Sequence, residues 1–240
     1  MTEKALPLKT VWITLGLPPV IFLLAIIVAS IYFGAQGQTD PGQISQSVAN
    51  SMSVILVVIQ IALLGIFLWA KRVDQLNWRA IGWQAAAGQK TWQEFLFGAV
   101  PGGLLGLLYV LVLSPLLTVL QRSVGDYVPA GEILPAVGSG LLAFFIADVL
   151  FAPFVEENIY RGYALTRLFG RFSQPAAIVI SCIFFGLLHW AGGFWYILLT
   201  GAVAGGLFAA LFVKRGNLIA PFAAHLALNL VEFLFVWLAH

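Results

Sequence analysis

Long apolar stretches separated by short clusters of charge dominate the chain. A helix needs roughly 20 apolar residues to cross a hydrocarbon layer about 30 Å thick, and seven stretches approach that requirement. The first runs from about Val11 to Phe33, between Lys9 and Asp40, and the second from about Met52 to Ala70, closed by Lys71 and Arg72. The third lies between Glu94 and Arg122, and the fourth starts near Gly138 and enters the acidic pair Glu156 and Glu157. From Phe172 to Val213 there is no formal charge, which leaves room for two spans with a break at Ala191 to Phe194. A last helix from about Leu218 to Leu238 closes the series. The pattern predicts an all-α polytopic transmembrane helix bundle of about seven spans (six to eight), a single membrane domain over residues 1–240. The first stretch exceeds the 7 to 15 apolar residues at the centre of a secretory signal and contains Pro18 and Pro19, so it reads as a retained anchor.

Composition agrees with this picture. Of 240 residues, 61% are hydrophobic and 9% charged, against about 25% charged in an ordinary soluble domain; a soluble globular protein is excluded. The net charge of +2 gives no case for nucleic acid. The placement of Lys and Arg is more informative, because basic residues collect in cytoplasmic loops. With seven spans, 11 of the 12 fall on the side that holds the N-terminus, and only Arg122 falls on the other. The N-terminus is therefore expected inside, in a multi-pass protein of a bacterial inner (plasma) membrane. Cys182 is the sole cysteine and can form no intramolecular disulfide. Near residues 74–91, Trp78, Trp83 and Trp92 among polar neighbours suit either an amphipathic interfacial segment or a plain loop with interfacial rings. Gly98, Gly102 and Gly106, and again Gly201 and Gly205, recur every four residues, which lets another helix backbone approach closely. Packing inside the bundle is the ordinary use of such faces, and a homodimer the sharper one.

Ionisable side chains within spans are costly, and each is a functional candidate by default. Glu157 and Arg161 are four apart and can pair on one helix face, as an interfacial salt bridge at the end of the span, whereas Glu156 is turned about 100° away and is free to point elsewhere. Pro153, three residues earlier, removes a backbone donor and loosens the helix wall beside the carboxylates. His225, Asn229 and Glu232, spaced four and three apart, make one polar stripe on an apolar rod. Asp148 suits a cavity-lining or second-layer position; Glu232, near the outer end, is expected in solvent. Counted at about 1.5 Å per residue, Glu156 falls near the cytoplasmic end of the fourth span and His189 near the far end of the fifth. For the two to meet, the fourth helix must run on from Pro153 or the fifth must start deeper.

The order Glu156-Glu157 with Arg161, then Phe185 with His189, then His225 with Asn229, each set on its own apolar helix, resembles the CAAX prenyl protease 2 and bacteriocin-processing (CPBP, or Abi) family of intramembrane proteases. The likeness covers about residues 138–238, a protease core preceded by additional N-terminal spans over 1–137. The resemblance implies peptide-bond hydrolysis within the membrane, on a peptide or a lipid-modified protein. Carried over, Glu156 would be the general base and His189 would hold the water or the leaving group. His225 and Asn229 would stabilise the oxyanion, with Glu157, Arg161 and Phe185 in support. The resemblance leaves two mechanisms open: a zinc ion held by Glu156, His189 and His225, or a glutamate-activated water with no metal. Two other classes remain beside the protease, an ion- or proton-coupled transporter using Asp148, Glu156 and His225 as a relay, and a non-catalytic immunity or scaffold protein.

Overall fold

The computed structural model describes residues 8–131 and 140–239, so the expected start of the fourth span at Gly138 lies outside the described residues. Among the described residues the fold is helical without strands. The helices are α1 (Lys9–Ala35), a short α2 (Pro41–Asn50), α3 (Met52–Val73), α4 (Thr91–Ser123), α5 (141–168), α6 (Gln174–Leu188), α7 (Phe194–Arg215) and α8 (Ile219–Ala239). α1, α3, α4, α7 and α8 are long and apolar enough to cross a membrane, and the chain is an integral membrane protein. α5 has the length, but Asp148, Glu156, Glu157, Arg161 and Arg167 lower its hydropathy. α6 has only 15 residues, about 22 Å of rise.

These last two helices bear on the mismatch in depth. α5 continues through Pro153, which places Glu156 near its middle, and α6 is a short helix with His189 just past its end. The accommodation of proline is visible in the helix itself. Wider π-helical turns occupy Phe145–Phe151, just before Pro153, and Tyr109–Leu113, just before Pro115. A proline ring presses on the carbonyl four residues back, and a widened turn relieves that pressure without breaking the helix. A further π-helical stretch at Asn158–Leu165 leaves the Tyr160 carbonyl to accept from Ser181 Oγ of α6 at 3.0 Å.

The basic helix ends gather on one face. Arg215, at the end of α7, makes a bidentate pair with Glu94 near the start of α4, both contacts at 2.8 Å. Arg167 pairs with Asp74 at 3.2 Å, and Asp74 also accepts from the Tyr163 hydroxyl at 2.8 Å. Between α3 and α4 the chain forms a turn-rich loop, not an interfacial helix. The loop inserts into the bundle: Ile81 is fully buried and Gly82 accepts from Leu218 N at 2.8 Å. Gly82 has φ +101°, and a Cβ there would sit 2.9 Å from Leu218 N, so a residue able to continue a helix does not fit.

The glycine faces are taken up inside the protein. A Cβ on Gly98 would lie 1.9 Å from the Ala220 carbonyl oxygen, and one on Gly102 would lie 2.0 Å from that of Ala224. α4 and α8 therefore meet backbone against backbone. Gly186 and Gly201 do the same for α6 and α7, with Cα of Gly201 3.2 Å from a Cβ built on Gly186. On the opposite face from the ion pairs, Asp126 fastens the α4–α5 connection to the start of α7. Its carboxylate accepts from Phe194 N at 2.8 Å and Trp195 N at 3.3 Å, while Trp195 Nε1 donates to Gly125 O at 2.9 Å. Burial acts to raise the Asp126 carboxyl, but the backbone N–H groups of Phe194, Trp195 and Tyr127 outweigh it and hold the carboxyl below its ordinary range.

Two outcomes are expected. Gly102→Ala lowers thermal stability in detergent by about 2–3 kcal/mol or more, since backbone cannot yield as a side chain does, whereas Gly103→Ala, which meets nothing within 4 Å, leaves the melting temperature unchanged. For Asp126, a lowered carboxyl contributes order that is complete above its ordinary value of 3.8 and is lost as pH falls through the still lower folded value. Amide exchange at Phe194 and Trp195, corrected for intrinsic rate, stays slow from neutrality down to that window and accelerates below it; Asp126→Ala shows the fast exchange already at neutral pH.

Candidate active site

The site is built from α5, α6, α7 and α8, with one contribution from α3. In α5, Glu157 and Arg161 make the expected pair, Arg161 Nη1 donating to Glu157 Oε1 at 3.0 Å. Both side chains are wholly buried, so this is a salt bridge in the middle of the bundle and not one at the interface. The same Glu157 oxygen accepts from His225 Nδ1 of α8 at 3.0 Å. Arg161 Nη2 donates to the Gly205 carbonyl of α7 at 3.0 Å. Its guanidinium lies 4.3 Å from the centre of the Phe185 ring and 5.3 Å from that of Phe208, in the range where a ring face attracts a cation.

Phe185 ties the two histidines to this cluster. Its ring centre is 4.9 Å from that of His189 and 5.7 Å from that of His225, and its backbone carbonyl accepts from His189 Nδ1 at 2.8 Å. Phe208 stacks on His225 at 4.6 Å. In both histidines the partner of Nδ1 is an acceptor, a carboxylate or a carbonyl. Nδ1 therefore carries the hydrogen, and Nε2 is left free for chemistry.

Glu156 faces a different way, as the 100° turn between neighbours requires. Its Oε1 accepts from Gln60 Nε2 of α3 at 3.1 Å, and its Oε2 has no protein partner among the described residues. Asn229 Nδ2 donates to the Asp148 backbone carbonyl at 2.8 Å, joining α8 to the π-helical part of α5. His189, His225, Asn229 and Asp148 line one cavity of about 90 Å³, space for several water molecules. Phe185, Tyr109, Tyr196 and Thr200 also line it. Glu232 lines the same cavity, contrary to the expectation that it lies in solvent, because three residues from Asn229 it stays on the inward face of α8. Glu156 is not among the lining residues; it sits 4% exposed behind the wall, against α3.

Among the described residues, no three His, Cys, Asp or Glu side chains come together in a way that would hold a metal ion. Glu156, His189 and His225 do not come together as a zinc set as they stand: both histidines line the cavity, each with Nε2 free, while the Glu156 carboxylate turns away to Gln60. Sequence reasoning missed Gln60, a lone amide in an apolar span, and Trp83, whose Nε1 donates to Asn158 Oδ1 at 2.8 Å beside the acidic pair. A polar side chain in the middle of the second span was the available signal for the first of these.

These features define a polytopic membrane protein with a buried ionic site walled by aromatic rings. Residues 138–231 match the family model described as Type II CAAX prenyl endopeptidase Rce1-like, which supports the resemblance to the CPBP proteases. All three motifs fall inside the matched segment. Comparison with curated proteins and with solved structures finds no match.

Removing one partner from the central pair leaves a buried charge without compensation, which costs about 3–5 kcal/mol. Arg161→Met is therefore expected to lower the unfolding midpoint in detergent strongly. The double variant Glu157→Gln, Arg161→Met recovers a good part of that loss, because it removes both charges together; two independent, additive losses would contradict the pairing.

Proposed function

We propose that the protein is an intramembrane endopeptidase that hydrolyses a peptide bond near the membrane by means of a glutamate-activated water. The observation that carries this reading is the coincidence of the Rce1-like match with the place where α5, α6 and α8 bring two carboxylates, two imidazoles and an amide to one cavity and its wall. Glu156 acts as the base: Oε2, without a protein partner, takes a proton from water entering from the cavity. His189, anchored through Nδ1, offers Nε2 to that water or to the leaving amine. His225, backed by the Glu157 carboxylate, is suited to carry a second proton and to donate from Nε2 to the developing oxyanion, where fixed donors supply much of the rate. Asn229 spends one N–H on the Asp148 carbonyl and keeps the other for the same oxygen. Glu157 and Arg161 touch no substrate in this scheme; they hold His225 in place.

The substrate belongs to one of two chemical classes, a prenylated protein processed near its C-terminus or an unmodified peptide undergoing maturation. Purified protein is incubated with a pool of prenylated and unprenylated peptides, and products are read by mass spectrometry. The native protein cleaves, and Glu156→Gln lowers the rate by at least about 100-fold with its melting temperature unchanged. Full activity in Glu156→Gln removes this assignment; absence of cleavage by the native protein, together with pH-driven flux in vesicles, favours a transporter.

A further inference from the structure

We propose that Gln60 of α3 is a positioning residue for this hydrolysis: it holds the Glu156 carboxylate and, together with it, orients the attacking water. The inference rests on the reading of Glu156 as the base. It assigns a part of the site to the N-terminal spans, outside the 138–231 segment that carries the Rce1-like match.

Gln60 sits in a span whose neighbours are Val57, Val58, Ile59, Ile61 and Leu63, and it is 4% exposed. Ile59, Leu63, Phe67 and Ala70 form the buried stripe of α3, and Gln60 lies beside that stripe. An amide buried among aliphatic side chains is costly unless it is hydrogen-bonded. Its one hydrogen bond here runs from Nε2 to Glu156 Oε1, 96 residues away, at 3.1 Å. A bond donated to a carboxylate is stronger than one between neutral groups, and it fixes the rotation of the Glu156 carboxyl group.

The remaining oxygens of the pair give the contact its chemical sense. Gln60 Oε1 and Glu156 Oε2 are both buried acceptors without a protein partner among the described residues. A water donating one hydrogen to each is held with a lone pair turned outward. As its oxygen bonds to the substrate carbonyl carbon, the hydrogen facing Glu156 Oε2 passes to the carboxylate, and the other stays on the attacking oxygen, donated to Gln60 Oε1. The tetrahedral intermediate then collapses, the C–N bond breaks, and Glu156 returns its proton to the leaving nitrogen. The products are a carboxylic acid and an amine, and Gln60 is unchanged.

A residue needed only to fill space makes a different prediction from one that positions the base. Methionine matches glutamine in length and suits an apolar span, so Gln60→Met is expected to fold, with a melting temperature lowered by no more than the loss of one hydrogen bond to Glu156. In a peptide assay with the substrate that the native protein cleaves, Gln60→Met is expected to lower kcat by about 10- to 100-fold, in line with the loss of a hydrogen bond to a charged group, with KM changed less than about twofold. Gln60→Glu keeps the shape but sets a second carboxyl against Glu156, where the two share a proton and the base is no longer a free carboxylate, and it is expected to lose at least about 10-fold in kcat. If Gln60→Met fails to fold, Gln60→Glu decides. Retention of kcat within about twofold in the deciding variants overturns the proposal, as does a loss of activity that only follows a loss of stability. Native protein that cleaves while these variants stay fully active sinks this inference alone; native protein that cleaves nothing sinks it together with the proposed function.

Discussion

A guanidinium does not give up its proton, so Arg161, wholly buried in the middle of a membrane bundle, has to be compensated where it stands. Much of the site follows from that requirement. One amino group is spent on Glu157 of its own helix and one on the Gly205 carbonyl of α7, while the faces of Phe185 and Phe208 cover the plane of the cation. Glu157, drawn inward by Arg161, is then available to take His225 from α8. The ion cluster thus sets which faces of α5, α6, α7 and α8 point inward, and the histidines are placed as a result.

Such a cluster is tolerable only if the helices around it close tightly and leave few backbone groups unpaired, since lipid offers no hydrogen bonds in return. Two devices serve this end. Glycines let α4 meet α8 and α6 meet α7 at backbone distance, and Gly205 allows the arginine to reach a main-chain oxygen. Widened turns let α4 and α5 carry Pro115 and Pro153 without a break, and a third releases the Tyr160 carbonyl to Ser181.

Much of this was legible along the chain. Charge spacing located the spans, four-residue glycine steps marked the close helix faces, and the separation of four between Glu157 and Arg161 announced their pair. Glu156 was put near the end of its span because the count stopped at the acidic pair, whereas the helix runs on to Leu168. The salt bridge was placed at an interface because charge usually lies there, and burial depends on what other helices supply. Gln60 escaped attention because its partner is 96 residues distant, and no local period reports such a meeting. Glu232 was assigned to solvent from its nearness to a chain end, whereas its position relative to Asn229 kept it on the cavity side.

The seam between α4 and α8 joins a helix made early in synthesis to one made late. His225 and Asn229 both ride on α8, and α8 reaches its place by fitting Ala220 and Ala224 against Gly98 and Gly102. A nascent chain that has released only its first seven helices therefore holds Glu156 and His189 but lacks the opposing wall. Until α8 is in place, the cavity lacks the wall that His225, Asn229 and Glu232 supply.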